Sequence, residues 1–291
     1  MAARLMRRVL VVGSGLMGAG IAQVAATAGF DVDLVDSAPA ALDSARARIV
    51  DSLERLQRSG KITEEPESVL ARITMGLDLE SAARRADLAI EAIVEALAPK
   101  KALFAKLDAW CANDVILATN TSQFQIGRIA EACKTPERVI GMHWSNPPPL
   151  MMLVEVIVGP RTDDATLDAT LAFVKDCDRA SVVCRKDVPG FISNRISTVL
   201  FMEAARLVEE GIASAADVDA VARMMYGHKM GPLTTLDLAG LDTALLCATA
   251  LSEYYGGDRF TPPEVLRTLV GDGRFGRKSG GGFYDYGRKP T

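Results

Sequence analysis

Histidine is nearly missing from this 291-residue chain; there are two, His143 and His228. That scarcity leaves no room for a metal centre built on several imidazoles or for a multi-histidine proton relay. Any histidine chemistry rests on one of those two side chains. Cysteine is also sparse: Cys111, Cys133, Cys177, Cys184 and Cys247 are odd in number, widely spaced and contain no C-x-x-C pair. Neither a zinc cluster nor a disulfide framework fits that spacing, so no metal is expected, and reduced thiols of a cytoplasmic protein are. Positive charge is not in excess, with Lys+Arg 33 against Asp+Glu 37 and a net charge of −4. That balance argues against nucleic acid or an anionic membrane as the partner. A long uncharged stretch does exist, Val9 to Phe30 behind Arg4, Arg7 and Arg8, and it imitates a signal peptide. It carries Gly13, Gly15, Gly18, Gly20 and Gly29 with Gln23 and Thr27, too flexible and polar for a span, so no membrane segment is expected.

What is present is an alternation of short apolar runs and helical patterns. The runs Val9–Val12, Asp31–Asp36, Ile73–Met75, Leu88–Ala92, Val115–Ala118, Val139–Met142, Leu153–Val158 and, weakly, Val182–Cys184 read as strands. Helix-compatible sequence separates most of them, including 16–28 and a long amphipathic stretch over 39–60. Strands alternating with helices predict an α/β fold with a Rossmann-type, doubly wound and mainly parallel sheet. After Asp187-Val-Pro-Gly190 the pattern changes to helices broken at Gly211, Gly227 and Gly231-Pro232. Two domains are therefore expected, 1–187 and an all-helical 188–291, as the length also suggests.

The first chemical signal is Gly13-Ser-Gly15-Leu-Met-Gly18, directly after a strand and opening a helix. Gly13 permits the tight turn, Gly15 lets backbone approach a pyrophosphate, and Gly18 lets helix pack on strand. The helix N-terminus, with Leu16 and Met17 in its first turn, supplies the positive potential an acidic chain otherwise lacks. Asp36 closes the second strand, where it can accept from ribose hydroxyls and repel a 2′-phosphate, so NAD is expected rather than NADP.

The second signal is His143 at the end of an apolar strand, followed by Trp144-Ser-Asn146-Pro-Pro-Pro149. Open α/β sheets place ligands at such strand ends. Glu155 lies twelve residues on within Leu153-Val-Glu-Val-Ile-Val158, and a carboxylate in a buried strand is costly unless paired. Pairing with His143 would fix its tautomer and raise the basicity of its other nitrogen. Spacing alone leaves open a plain loop histidine and a glutamate paired with an arginine. Asn120-Thr-Ser122 and Asn194 can orient a substrate oxygen, though such residues are also ordinary caps and turns.

Taken together these motifs resemble the 3-hydroxyacyl-CoA dehydrogenase family, especially the short bacterial 3-hydroxybutyryl-CoA dehydrogenases, over essentially the whole chain. The likeness also runs through Glu91-Ala-Ile-Val-Glu95, Val188-Pro-Gly-Phe-Ile-Ser-Asn194-Arg195, Gly240-Leu-Asp242 and Gly276-Arg-Lys-Ser-Gly-Gly-Gly-Phe-Tyr-Asp-Tyr286. It implies an enzyme of fatty-acid metabolism that uses NAD and forms a homodimer through its helical domain. It makes His143 the base, Glu155 its orienting partner, and Ser122 and Asn194 the holders of the reacting oxygen. Glu95, Asn120 and Lys100 would lie at the cofactor and Asn146 at the substrate. Arg55, Arg58 and Lys61 would face the CoA moiety, where the family's lysines correspond to Arg55 and Ser59. The chain departs from the pattern at Trp144-Ser145, Gln123 and Ser59, all on the substrate side. Those departures keep open a dehydrogenase for a free hydroxy acid or polar alcohol. A non-catalytic NAD-binding protein is the more distant alternative.

Overall fold

The computed structural model describes residues 6–287; Arg4 and the outer ends of both expected domains, 1–5 and 288–291, lie outside the described residues. The chain divides into two compact units between Val188 and Pro189, one residue beyond the expected break.

The first unit carries strands β1 (Arg8–Val12), β2 (Asp31–Val35), β3 (Ile73–Gly76), β4 (Leu88–Glu91), β5 (Ile116–Thr119), β6 (Val139–Trp144), β7 (Leu153–Ile157) and β8 (Ala180–Cys184). They form one sheet in the order β3-β2-β1-β4-β5-β6-β7-β8, parallel throughout except that β7 runs antiparallel to β6. Its helices are α1 (Leu16–Thr27), α2 (Pro39–Arg58), α3 (Pro66–Leu70), α4 (Leu79–Arg85), α5 (Leu97–Trp110), α6 (Ile126–Ala130) and α7 (Asp164–Asp176). The order reverses on either side of β1 and β4, which makes the carboxyl edge there the ligand-binding crevice of an open sheet.

Side-chain alternation assigns the helices to faces. Val9, Val11, Ile140, Met142, Trp144, Val154 and Val156 join α1, α2 and α7 in one apolar cluster. The residues between them turn to the other face, where Arg85 of α4 meets Asp33, Lys100 of α5 meets Glu91, and Ile126 of α6 abuts Gly141. β2 alternates polar and apolar residues in sequence, Asp-Val-Asp-Leu-Val, yet both its faces are covered. Asp33 is 1% exposed and is held by Arg85 at 2.7 and 2.9 Å. A buried carboxylate needs such a partner.

The second unit contains α8 (Ser193–Glu209), α9 (Ala215–Met224), α10 (Pro232–Ala239), α11 (Leu241–Tyr255) and α12 (Glu264–Gly271). The break between α10 and α11, at Gly240 with φ +103°, was not marked in sequence by proline or by a loss of apolar residues; there the chain bends by 101°. Asp219 and Asp237, both buried, pin the glycine-rich C-terminal stretch to these helices. Asp237 accepts from the amides of Phe283 and Tyr284, and Asp219 from the Tyr284 hydroxyl at 2.9 Å. Among the described residues no single helix is long and apolar enough to cross a membrane.

Candidate active site

The turn from β1 into α1 is built for an anionic group. Gly13 has φ +99°, and a Cβ there would sit 2.5 Å from the carbonyl oxygen of Ala92. A Cβ on Gly18 would lie 1.8 Å from the Gly13 carbonyl oxygen, so only hydrogen fits between helix and turn. Gly15 is different: nothing lies within 4 Å of its Cβ position, and α1 has no side-chain cap. An uncapped helix N-terminus beside open space is the cradle a dinucleotide's pyrophosphate requires. NAD therefore fits these residues. Leu16 and Met17 supply the first turn, Leu16 being 57% exposed.

Asp36 directly follows β2 beside this turn and accepts from Ser14, backbone N at 2.7 Å and Oγ at 2.8 Å, and from the Ala38 amide at 3.1 Å. Burial pushes its pKa up, but these hydrogen bonds more than reverse that and hold the carboxyl below its ordinary value. Arg48 of α2, which sequence reasoning missed, reaches the Ser14 carbonyl oxygen at 2.7 Å.

At the end of β4 and β5 lies a buried ionic network. The Lys100 ammonium, 1% exposed, sits 2.6 Å from Glu91 Oε1 and 3.0 Å from Glu95 Oε2. Glu95 Oε1 accepts from the Thr121 hydroxyl at 2.6 Å and the amides of Ser122 and Gln123 at 2.9 and 3.1 Å. Burial raises the Glu95 pKa, while the Lys100 charge and the bonds from Thr121, Lys100 and Ser122 outweigh it and keep the carboxyl below its usual value. Lys100 thus spends its charge on two glutamates. Asn120, next along, accepts from the Trp144 amide at 2.9 Å and so ties β5 to the residue after His143.

His143 and Glu155 pair directly across β6 and β7, with Nδ1 and Oε2 3.1 Å apart. Glu155 is 3% exposed on its side chain and His143 18%, so the carboxylate is sealed and the imidazole accessible. Successive strand residues point to opposite faces, and Trp144 is accordingly 2% exposed in the cluster on the α1 side. That corrects the expectation that Trp144 alters the substrate side: the indole fills core. Ser145 Oγ bonds the Leu153 carbonyl, and Ser59 Oγ the Leu56 carbonyl, so both of these hydroxyls are used locally. Asn146 is exposed at the start of the proline loop. Asn194 lies in the first turn of α8 in the second unit, its carbonyl accepting from Ser197 Oγ at 3.3 Å. His228 is exposed in that unit, its ring 6.3 Å from Tyr226.

A cavity of about 290 Å³ lies between α1, α2 and the proline loop, lined among others by Gln23, Arg48, Ser52, Arg55 and Pro148. Gly20 allows the close approach, since a Cβ there would be 2.9 Å from Pro148 Cδ. Of the three cations expected on this side, Arg55 lines the cavity, ion-paired to Asp51, whereas Arg58 and Lys61 do not. Arg58 bonds back to the Glu54 carbonyl. Arg48 was legible in principle: positions 48, 52 and 55 share one helix face.

Comparison with known proteins identifies the family. The model for the NAD binding domain of 3-hydroxyacyl-CoA dehydrogenase matches residues 8–188, and that for the family's C-terminal domain matches residues 190–286. A probable 3-hydroxybutyryl-CoA dehydrogenase of Deinococcus radiodurans is 43% identical over 276 residues, covering 95% of this chain and 99% of that one. One of Bacillus subtilis is 42% identical over 286 residues, covering 98% and 99%. The crystal structure of (S)-3-hydroxybutyryl-CoA dehydrogenase PaaH1 from Ralstonia eutropha superposes with TM-score 0.93 at 36% identity, covering 98% of this chain and 100% of that one. The fold and its glycine turn are those of an NAD-dependent oxidoreductase acting on CH–OH groups. Within that class, the chain belongs to the 3-hydroxyacyl-CoA dehydrogenase family.

Proposed function

We propose that this protein oxidises the 3-hydroxyl of a 3-hydroxyacyl-CoA, such as 3-hydroxybutyryl-CoA, to the 3-oxoacyl-CoA. The observation that carries the reading is the His143–Glu155 pair. With Glu155 accepting from Nδ1–H, Nε2 is the ring nitrogen that carries the lone pair and acts as the base. When bound, NAD supplies the acceptor for the hydride released from C3. His143 takes the hydroxyl proton at Nε2, and the Glu155 carboxylate stabilises the imidazolium that results. Ser122, hung on Glu95, orients the reacting oxygen, and the family motif gives Asn194 the same role. Glu95 and Asn120 border the nicotinamide, with Lys100 acting on the cofactor side through Glu95. Gly13–Gly18 and Asp36 hold the dinucleotide. Asn146, Arg48 and Arg55 are assigned to the substrate, with Arg58 and Lys61 as outer charges. The first unit binds cofactor; the second serves substrate and dimerisation.

A homodimer is supported by the apolar surface of the second unit, where Ile196, Met224, Met225 and Leu246 are 66%, 84%, 74% and 68% exposed. Five free cysteines support a cytoplasmic location. NADH oxidation with acetoacetyl-CoA tests the reading, and equal activity with free acetoacetate overturns it. A second reading, oxidation of a free hydroxy acid, is favoured only by the cation count at the cavity, where Asp51 neutralises Arg55. The same comparison decides between them.

A further inference from the structure

Glu91 has no part in the chemistry above, yet it is a fully buried carboxylate with partners on both oxygens. It is 0% exposed at the end of β4, in register with Val12 on one side and Thr119 on the other. Its Oε1 receives the Lys100 ammonium at 2.6 Å and the Ile93 amide at 2.8 Å, and its Oε2 receives the Thr119 hydroxyl at 2.6 Å. Its carbonyl oxygen takes the Asn120 amide at 2.8 Å. One residue therefore fixes the start of the segment that runs to Glu95, the end of β5, and the lysine that faces Glu95. The same segment backs the glycine turn, for a Cβ on Gly13 would lie 3.0 Å from the Ile93 amide nitrogen.

We infer that Glu91 is a positioning residue for the cofactor, acting through Lys100 on Glu95 and through Glu95 on the 121–123 loop. Two carboxylates share one ammonium, so neither Glu91 nor Glu95 holds it alone. Remove the charge on Glu91 and the ammonium falls wholly to Glu95, drawing Oε2 away from the geometry in which Oε1 collects Thr121, Ser122 and Gln123. Glutamine cannot substitute, because its single carbonyl oxygen cannot accept from Thr119, Lys100 and Ile93 on two sides. This inference rests on the assignment of Glu95 to the nicotinamide.

The test compares E91Q, E95Q and the milder T119V with the unmodified protein. NADH affinity is read by fluorescence titration, and exchange of the Ser122 and Gln123 amides is read in the protein without cofactor. E91Q is expected to weaken NADH about tenfold, to lower kcat at saturation because Ser122 shifts with the loop, and to speed exchange at both amides. T119V, which removes one bond and no charge, is expected to weaken NADH about threefold, and it decides the matter where E91Q does not fold. If E95Q and not E91Q or T119V weakens NADH, Glu91 has no such role and the Glu95 assignment stands. If E95Q leaves NADH affinity unchanged, both are overturned. A lowered melting temperature in E91Q with unchanged NADH affinity and amide exchange also overturns the inference.

Discussion

His143 and Glu155 stand opposite one another across β6 and β7, twelve residues apart in sequence and 3.1 Å apart at Nδ1 and Oε2. The antiparallel pairing of β7 with β6, in a sheet whose other pairings are parallel, brings this about. Directly opposed residues have their Cβ atoms close enough for a short side-chain bond. A slip of one residue would carry Glu155 to the face where Val154 and Val156 pack, and a bare carboxylate there is prohibitive. The register is thus specified by the same burial that seals the carboxylate.

Removing the base should be costly and removing its partner less so. H143A is expected to lower kcat by about 10²–10⁴-fold, the usual contribution of a positioned general base. E155Q keeps an acceptor for Nδ1–H but loses the charge, and a charge-assisted bond corresponds to a fall of about 10- to 100-fold. Steady-state kinetics on acetoacetyl-CoA reads both. An E155Q enzyme as active as the parent would leave the pair a structural contact.

Much of this arrangement was legible before the fold was known, and the reasons differ by residue. β1 and β5 stand out because apolar runs covered on both faces leave no polar alternative, whereas β8, with three exposed residues at its start, is only weakly marked. The glycine turn is legible because its context, strand before and helix after, is local. The cost argument that singles out Glu155 applies equally to Glu91, a carboxylate closing Leu-Ala-Ile-Glu, but nothing in sequence says that Lys100 nine residues on is its partner. Nor does a motif show direction: His143 and Trp144 are neighbours in sequence, and strand alternation sends them to opposite faces. Arg58 and Lys61 share a helix end with Arg55, yet only the 48–52–55 face meets the cavity.

The glycines of the turn should separate binding from folding. At Gly15 the backbone has φ −61° and nothing lies within 4 Å of a new Cβ, so G15A is expected to melt within about 1 kcal/mol of the parent. The same methyl occupies the cradle, and NADH affinity should drop at least about tenfold. G18A places a Cβ 1.8 Å from a carbonyl oxygen and should destabilise the fold itself. Thermal melts with and without NADH check the pair; equal losses of stability in both variants would refute the distinction.

Arg48 should matter more to a CoA substrate than Arg58. Arg48 lines the cavity and, among the described residues, pairs with no carboxylate; its bond is to a backbone carbonyl. Losing one charge-assisted contact costs about tenfold or more, so R48M is expected to raise KM for acetoacetyl-CoA by that factor. R58A, at an exposed charge, should change it by less than about fivefold. Because Arg48 also bonds the Ser14 carbonyl, KM for NADH must be measured alongside. A rise confined to NADH would place Arg48 with the cofactor instead.

Tyr284 gives the second unit a predictable alkaline limit. Its hydroxyl lies 2.8 Å from the Ala215 carbonyl oxygen and 2.9 Å from Asp219 Oδ2. Burial, with the adjacent Asp219 carboxylate, pushes the phenol up to about 12 from an ordinary value near 10. A pKa raised in the folded state contributes stability in full below the unfolded value and loses it as pH climbs through the folded one. Stability should therefore decline from about pH 10 to about pH 12. Tyr286, raised in the same direction by burial and by Asp237, steepens that decline. Y284F removes the ionisation and the hydroxyl together. It should be less stable near pH 8 by about 1–3 kcal/mol, and its decline above pH 10 should be shallower. Urea unfolding at pH 8, 10 and 11 measures both quantities. Parallel pH profiles for the two proteins would show that the phenol does not titrate against the fold.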